Sequence, residues 1–270
     1  MTERRASLLE SRLMLPRAAL LLTLLAALAV STPVGAEDAV PAARALLVAW
    51  HEDPARIDRA RALLETAVVT DAAPETLVEL SRAWFLTGDF RARSEGERVA
   101  AYERGSETAR RAIVAAPRNE RAHLWLAINS GRAAELKGVL RALALVSTIR
   151  EESETVLKLN PSSVDGLILA ASLAAEMPGF LGGDRAKAET LFKRALEVDP
   201  HRTGARLELA RFYVNGKRWR DAQRELQRVI DEPAPTDLPR WTVSERPRAR
   251  AMLAELHERG RVTGAPSQSP

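Results

Sequence analysis

The sequence contains no cysteine, and only 4% of its 270 residues are aromatic. The lack of cysteine excludes disulfides, cysteine-ligated zinc, iron–sulfur clusters and thiol catalysis. Apolar residues make up 46% of the chain, enough for a hydrophobic core in one large domain or two small ones. The same fraction excludes a chain that is disordered throughout.

The sequence also lacks a large excess of charge of either sign. It has 40 basic and 36 acidic residues. The first 36 residues hold four arginines and two glutamates, which leaves 36 basic and 34 acidic residues and a net charge of +2. The two signs are interspersed, whereas nucleic-acid binding requires a clustered positive surface. The composition therefore predicts no nucleic-acid partner.

Long hydrophobic runs are absent except for one 13-residue segment, residues 18–30. A basic segment precedes it, and Val34 and Ala36 follow at the positions of a cleavage site. This arrangement is typical of a secretory signal peptide, residues 1–36, cleaved after Ala36. We therefore expect a protein of the Gram-negative periplasm, with no integral membrane segment after cleavage. It is not expected to be a lipoprotein, because there is no cysteine to lipidate. An uncleaved N-terminal anchor is the alternative.

Beyond residue 38, apolar residues recur at i, i+3, i+4 and i+7, and good helix formers dominate. The clearest unit places Trp219, Ala222, Leu226 and Val229 on one helix face, with Pro233 just beyond. This spacing is that of the second helix of a tetratricopeptide repeat. The sequence thus predicts an all-α, tetratricopeptide-like solenoid of helical hairpins.

Similar second-helix signatures precede four other prolines. The five prolines lie at positions 74, 117, 161, 200 and 233, with spacings of 43, 44, 39 and 33 residues. Only the last spacing is near the 34-residue period of the repeat, so we expect insertions between helices in the earlier units. A plain bundle of alanine-rich helices is the alternative.

The periodicity gives a helix map for a repeat domain over residues 37–260. The predicted helices are 39–50, 54–69, 75–88, 97–115, 119–134, 137–158, 162–176, 184–198, 202–215 and 219–231, with a capping helix at 245–259. Residues 231–247, which contain four prolines, are predicted to form an ordered link, and residues 261–270 a disordered tail.

Three stretches go beyond a generic repeat: 80–90 (LSRAWFLTGDF) with 102–112 (YERGSETARRA), then 123–128 (HLWLAI), then 177–184 (MPGFLGGD). In this order they resemble the T-component of TRAP-type transport systems and, in pattern, the regulator of microtubule dynamics proteins. The resemblance covers about residues 45–258. It implies a solenoid that binds a protein partner, with a solute-binding protein as one candidate, and an apolar ligand cavity. Well-known members are lipoproteins, and this sequence departs from them in lacking cysteine.

In tetratricopeptide repeats the first helices line a concave groove. By analogy, the predicted partner- or ligand-binding residues are Arg82, Phe85, Leu124, Ile128, Leu167, Arg211 and Asn215. The set is mostly apolar, and its two arginines could hold a carboxylate by paired donors. The alternative is that several of these residues belong to the core and that the arginines are solvated.

Two further features are weaker candidates for a site. In the loop 178–184, the amides at the start of the next helix could bind an anion. The alternative is a structural turn in which Asp184 caps that helix and Phe180 is tucked into the adjacent groove. Trp125 and Trp241 are candidate binding anchors, although helix packing explains most of the tryptophans.

Catalytic and cofactor motifs are missing. The four histidines have no metal-ligand spacing, and there is no phosphate-binding loop or nucleophile elbow. The acidic run 151–154 is typical of a solvated helix start. The sequence thus predicts a non-enzyme without cofactor or metal.

Three functions stay open at this level. The first is a periplasmic scaffold that binds a partner protein in its groove. The second is a transport accessory that carries a small apolar or carboxylate ligand. The third is a structural component of the envelope. The sequence does not decide the oligomeric state.

Overall fold

The computed structural model describes residues 36–262, and in this range the chain is all-α, with no strand. Ten helices form five consecutive hairpins. They are α1 (Ala36–Val48), α2 (Ala55–Thr70), α3 (Pro74–Phe90), α4 (Glu95–Ala115), α5 (Glu120–Lys137), α6 (Val139–Leu159), α7 (Val164–Glu176), α8 (Arg185–Val198), α9 (Thr203–Asn215) and α10 (Trp219–Ile230). The predicted helical-hairpin solenoid is confirmed. The signal peptide, except for Ala36, and residues 263–270 lie outside the described residues.

The chain closes with a helical run after α10. It passes through one α turn (Leu238–Arg240) and a π turn (Trp241–Glu245) into α11 (Arg246–Glu258), close to the predicted capping helix. The link is shorter than predicted, because helix begins at Leu238 rather than near residue 245. Pro239 is compatible with a first helical turn, where no amide donor is needed, and Asp237 accepts a hydrogen bond from the Arg240 amide at 3.2 Å.

Local sequence explains where the helices begin. Ser94, Asn119, Ser163 and Asp184 each accept a backbone amide hydrogen bond at the start of a helix. Pro74 occupies the first turn of α3, where its fixed φ favours helix. The expected insertions between the helices of the early repeats are not found, because most of the extra length lies within the helices themselves. The longest segment between two helices is 177–184, which joins α7 to α8.

Small residues allow the paired helices to approach closely. A Cβ on Gly88 would lie 2.4 Å from the Tyr102 ring, and one on Gly105 would lie 2.5 Å from the Asn129 amide. Tyr102 is fully buried and donates to Asp89 Oδ1 at 2.6 Å. Gly88, Asp89 and Tyr102 belong to the stretches that carry the family resemblance, and they form a structural contact between α3 and α4.

The first helix of each hairpin contacts the first helix of the next one. This places α3, α5, α7 and α9 side by side, and the π turn packs against α9. In the described residues, no helix has the length and apolar composition needed to cross a bilayer.

Candidate functional site

A row of three connected cavities follows the first helices, and we call this row the groove. The N-terminal cavity has a volume of about 400 Å³, the central cavity about 240 Å³ and the C-terminal cavity about 290 Å³. The first two share lining residues that include Phe85, Ile128 and Arg240. Arg211 lines both the second and the third. The groove therefore extends from α3 to α9.

Six of the seven predicted site residues line the groove. Arg82, Phe85, Leu124 and Ile128 line its N-terminal cavity. Ile128 also lines the central cavity, and Arg211 and Asn215 line the C-terminal one.

Leu167 is the exception, because it lines none of these cavities. It is 3% exposed and packs in a core cluster with Ala195 and Ala205. The next two residues of α7, Ile168 and Leu169, line the groove instead. A single residue turns a helix by about 100°, so an error of one position exchanges groove for core.

The floor of the N-terminal cavity is aromatic. The Phe85 ring centroid lies 5.4 Å from that of Trp125, which also lines the cavity. The Arg240 guanidinium lies 5.3 Å from the Phe85 centroid, within the range of a cation–π contact. Arg240 Nε is 3.6 Å from a Glu245 carboxylate oxygen. The site thus combines an apolar surface with a cation at its edge.

Arg240 was not among the predicted site residues. It belongs to the proline-rich segment that was expected to be a link, and the helical run places it over Phe85. Its neighbour Trp241, a predicted candidate anchor, donates its indole N–H to Val229 O at 2.7 Å. Trp241 is therefore fixed within the last repeat, whereas Trp125 is the candidate anchor that lines the groove.

Both predicted groove arginines already contact carboxylates of the protein. Arg82 lies 3.6 Å from Glu79, while Arg211 lies 2.5 Å from Glu176 and 2.8 Å from Glu208. None of the three groove cavities contains both arginines. They therefore do not form one joint clamp for a single carboxylate.

A buried carboxylate organises the N-terminal end of the groove. Glu79 is fully buried, and its Oε1 accepts from Arg44 at 2.7 Å and from Arg121 at 2.6 Å. Burial alone would raise the pKa of Glu79, but the charges and hydrogen bonds of Arg121, Arg82 and Arg44 hold it below its ordinary value. This ionised group links α1, α3 and α5 and holds Arg82 and Arg121 at the cavity wall.

Two carboxylates that line the central cavity, Glu176 and Glu245, have raised pKa values. Burial raises the pKa of Glu176, and the nearby charges of Glu135 and Glu208 act in the same direction against Arg211. Burial also raises the pKa of Glu245, whose Oε2 accepts from Thr203 Oγ1 at 2.6 Å. The groove carries both signs of charge along its length: four arginines and three carboxylates line the N-terminal cavity, five of each line the central one, and two of each line the C-terminal one.

The loop before α8 differs in part from its prediction. Asp184 caps α8, because its Oδ1 accepts from the Lys187 amide at 2.9 Å. The prediction that Phe180 is tucked into a groove is wrong, because this side chain is 88% exposed. The loop closes on itself through the Gly183 amide, which donates to Pro178 O at 3.0 Å, and this leaves Phe180 at its tip. A Cβ on Gly183 would meet Met177 O at 1.8 Å, so the closure requires glycine.

The histidines and carboxylates do not form a metal centre in the part of the chain that the structure describes. Among these residues, no three histidine, aspartate or glutamate side chains converge as a set of metal ligands. His123 instead lies between two oxygens, with Nδ1 2.5 Å from Glu152 and Nε2 2.9 Å from Pro117 O. It joins α5 to α6.

Comparison with known proteins supports the fold. The tetratricopeptide repeat model matches residues 180–242, and the model for regulator of microtubule dynamics protein 1-3 matches residues 49–169. No curated protein matches the chain in sequence. The chain thus has the fold of a tetratricopeptide-repeat protein, with the repeat itself recognised in its C-terminal part.

Two solved structures show the same architecture. A thermophilic tetratricopeptide-repeat protein of Thermus thermophilus is 18% identical, with a TM-score of 0.59, over 80% of this chain and all of the other. PilF of Pseudomonas aeruginosa is 13% identical, with a TM-score of 0.50, over 84% of this chain and 95% of the other. At these identities the likeness concerns the fold.

Proposed function

We propose that the protein is a non-catalytic periplasmic scaffold that binds a partner protein in the groove. The observation that carries this proposal is the continuous row of cavities along the first helices, with an aromatic floor and charged walls. Aromatic and arginine side chains are the residues that most often anchor protein interfaces. A solenoid presents such a surface already ordered, so a partner is bound by shape and charge without covalent chemistry.

The N-terminal sequence supports the periplasmic location. Residues 1–36 have the three parts of a secretory signal, and the chain has no cysteine for lipidation. Cell fractionation tests this part independently of binding. Mature protein in the periplasmic fraction, beginning at Glu37, is expected, and full-length protein in the membrane fraction would support the uncleaved anchor instead.

Photo-crosslinking in cells tests the groove itself. A crosslinking amino acid at Ile128 or Arg211 is expected to capture the same partner, because both side chains line the central cavity. The matched control is Arg110, an exposed arginine of α4 that lines none of the three groove cavities. Capture from Arg110 with none from the two groove positions would contradict the proposal.

A groove variant separates binding from folding. Ile128→Glu places a charge on the partly exposed floor and is expected to abolish the crosslink from Arg211, while the helical circular dichroism stays unchanged. Arg110→Glu should leave both unchanged. A retained crosslink in a folded Ile128→Glu protein would place the binding surface elsewhere.

The size of the N-terminal cavity favours one alternative, an accessory T-component of a TRAP-type system that carries a small apolar or carboxylate ligand. About 400 Å³ of space beside Phe85, Trp125 and Arg240 is sufficient for a small molecule. Mass spectrometry of the purified native protein should then show a co-purifying ligand that Ile128→Glu excludes. Ligand-free protein together with a crosslinked partner would favour the scaffold.

A further inference from the structure

A second cavity system lies outside the groove, on α10. Its volume is about 840 Å³, and it shares no lining residue with the groove. We call it the arginine recess. It is lined by Arg206, Arg220, Gln223, Arg224, Gln227, Arg228, Asp231, Glu232 and Pro233.

Three of its arginines form a regular row. Arg220, Arg224 and Arg228 are exposed and follow each other at intervals of four residues along α10. With a rise of about 1.5 Å per residue, their Cα atoms are spaced by about 6 Å. Alternate residues of an extended chain are spaced by a similar distance, about 6.6 Å. The row therefore matches acidic side chains on one face of an extended segment.

The arginines outnumber the carboxylates that they contact. The buried carboxylate of Glu225 lies 3.2 Å from Arg206, 3.2 Å from Arg228 and 3.7 Å from Arg224. Asp221 lies 2.6 Å from Arg224 but is shared with Arg218. A guanidinium has five N–H donors, so these contacts leave donors for an additional anion.

We propose that the arginine recess binds an acidic, extended segment of a partner protein. Two carboxylates also line the recess, and each has a partner: Asp231 accepts from Gln227 at 2.7 Å, and Glu232 lies 2.7 Å from His201 Nδ1. The row spans about 12 Å, short for the continuous positive surface that nucleic acids require. The site is independent of the groove, and its test does not depend on the groove partner.

The test uses the purified full chain and a fluorescent peptide of four Glu-Ser repeats, followed by anisotropy at low ionic strength. The peptide is expected to bind, and added salt should weaken the complex. A matched peptide of four Gln-Ser repeats should not bind. The variant Arg220→Gln/Arg224→Gln should weaken binding of the acidic peptide about tenfold, because two charge-assisted contacts are lost. Glu225 keeps Arg206 and Arg228 in this variant, so folding should be preserved.

The control variant is Arg110→Gln/Arg194→Gln, which removes two exposed arginines that each pair within their own helix. It should bind as the original chain does. Equal binding of the two peptides, or unchanged affinity in the Arg220/Arg224 variant, would overturn the proposal. Tighter binding of polyphosphate or of a single-stranded oligonucleotide would also overturn it. Sedimentation with phosphatidylglycerol vesicles that requires Arg220 and Arg224, without peptide binding, would assign the recess to lipid.

Discussion

The hairpins α3–α6 and α7–α10 make the same architecture in different ways. The four earlier helices have 17, 21, 18 and 21 residues, and the four later ones have 13, 14, 13 and 12. The earlier segment matches the model for regulator of microtubule dynamics protein 1-3, and most of the later one matches the tetratricopeptide repeat model. The longer helices of the earlier hairpins account for the wider spacing of the prolines in that part of the sequence.

The two regions also differ in what is buried. In α3–α5, Glu79 and Asn129 are fully buried, and Asn129 Nδ2 donates to Trp125 O at 3.0 Å. In α8–α10 the Phe192 and Phe212 rings pack together, with 6.2 Å between their centroids. Buried polar groups require specific partners, whereas an apolar contact depends mainly on shape and volume. Both regions have an apolar core, and we infer that the earlier one depends in addition on the specific partners of Glu79 and Asn129.

The largest effect is expected from Phe192→Ala in the apolar region. Phe192 is 1% exposed, and its removal should lower the free energy of unfolding by about 3–5 kcal/mol. Denaturant unfolding followed by circular dichroism measures it. Phe192→Leu, which keeps most of the volume, should cost clearly less. A small loss in the alanine variant would show that the later region does not depend on this core.

Glu79→Gln tests the polar region and should lower the free energy of unfolding by about 2 kcal/mol, because the hydrogen bonds from Arg44 and Arg121 lose their charged acceptor. The lowered pKa of Glu79 also gives a pH signature. The stabilisation that ionised Glu79 contributes is fully present above pH 4.5, which is the ordinary pKa of the group. It is lost as the pH falls through the lower pKa of Glu79 in the folded protein. The difference in the free energy of unfolding between the original chain and Glu79→Gln should therefore decrease at low pH.

The control for this prediction is Glu65→Gln, which removes an exposed carboxylate 3.9 Å from Arg61. It should change stability by less than about 0.5 kcal/mol at any pH. A constant difference between Glu79→Gln and the original chain from pH 7 to pH 3 would contradict the ionised state of Glu79.

Asp184→Ala should have an intermediate effect, a loss of about 1 kcal/mol, because the cap of α8 is removed. Thermal unfolding measures it, and Asp184→Asn should retain most of the stability because asparagine also caps helices. An identical melting curve for the alanine variant would show that the capping hydrogen bond contributes nothing to stability.

The smallest effect is expected from Phe180→Ser at the tip of the 177–184 loop. The side chain is 88% exposed, so stability should change by less than about 0.5 kcal/mol. The matched change is Phe212→Ser in the apolar core, which should be strongly destabilising. A large loss in Phe180→Ser would restore the predicted tucked position of this ring.

Sequence patterns predicted the helices to within a few residues, because each has a continuous apolar face and most have a capping residue or a proline at their ends. The same patterns were less precise for the groove. Leu167 and Ile168 are adjacent apolar residues of α7, and only the packing of α7 against α8 and α9 assigns Leu167 to the core. Arg240 was overlooked because prolines on either side of it suggested a link rather than a helical turn.

The sequence by itself determined the repeated hairpins, the cap at Asp184 and the exclusion of cysteine chemistry, because these depend on neighbouring residues or on composition. The tertiary structure decided which arginines contact which carboxylates, because residues far apart in sequence meet only when hairpins stack. Arg44, Glu79 and Arg121 come from three different helices, and their contact sets the wall of the groove. The stacking likewise placed Arg240 over Phe85, across more than 150 residues of chain.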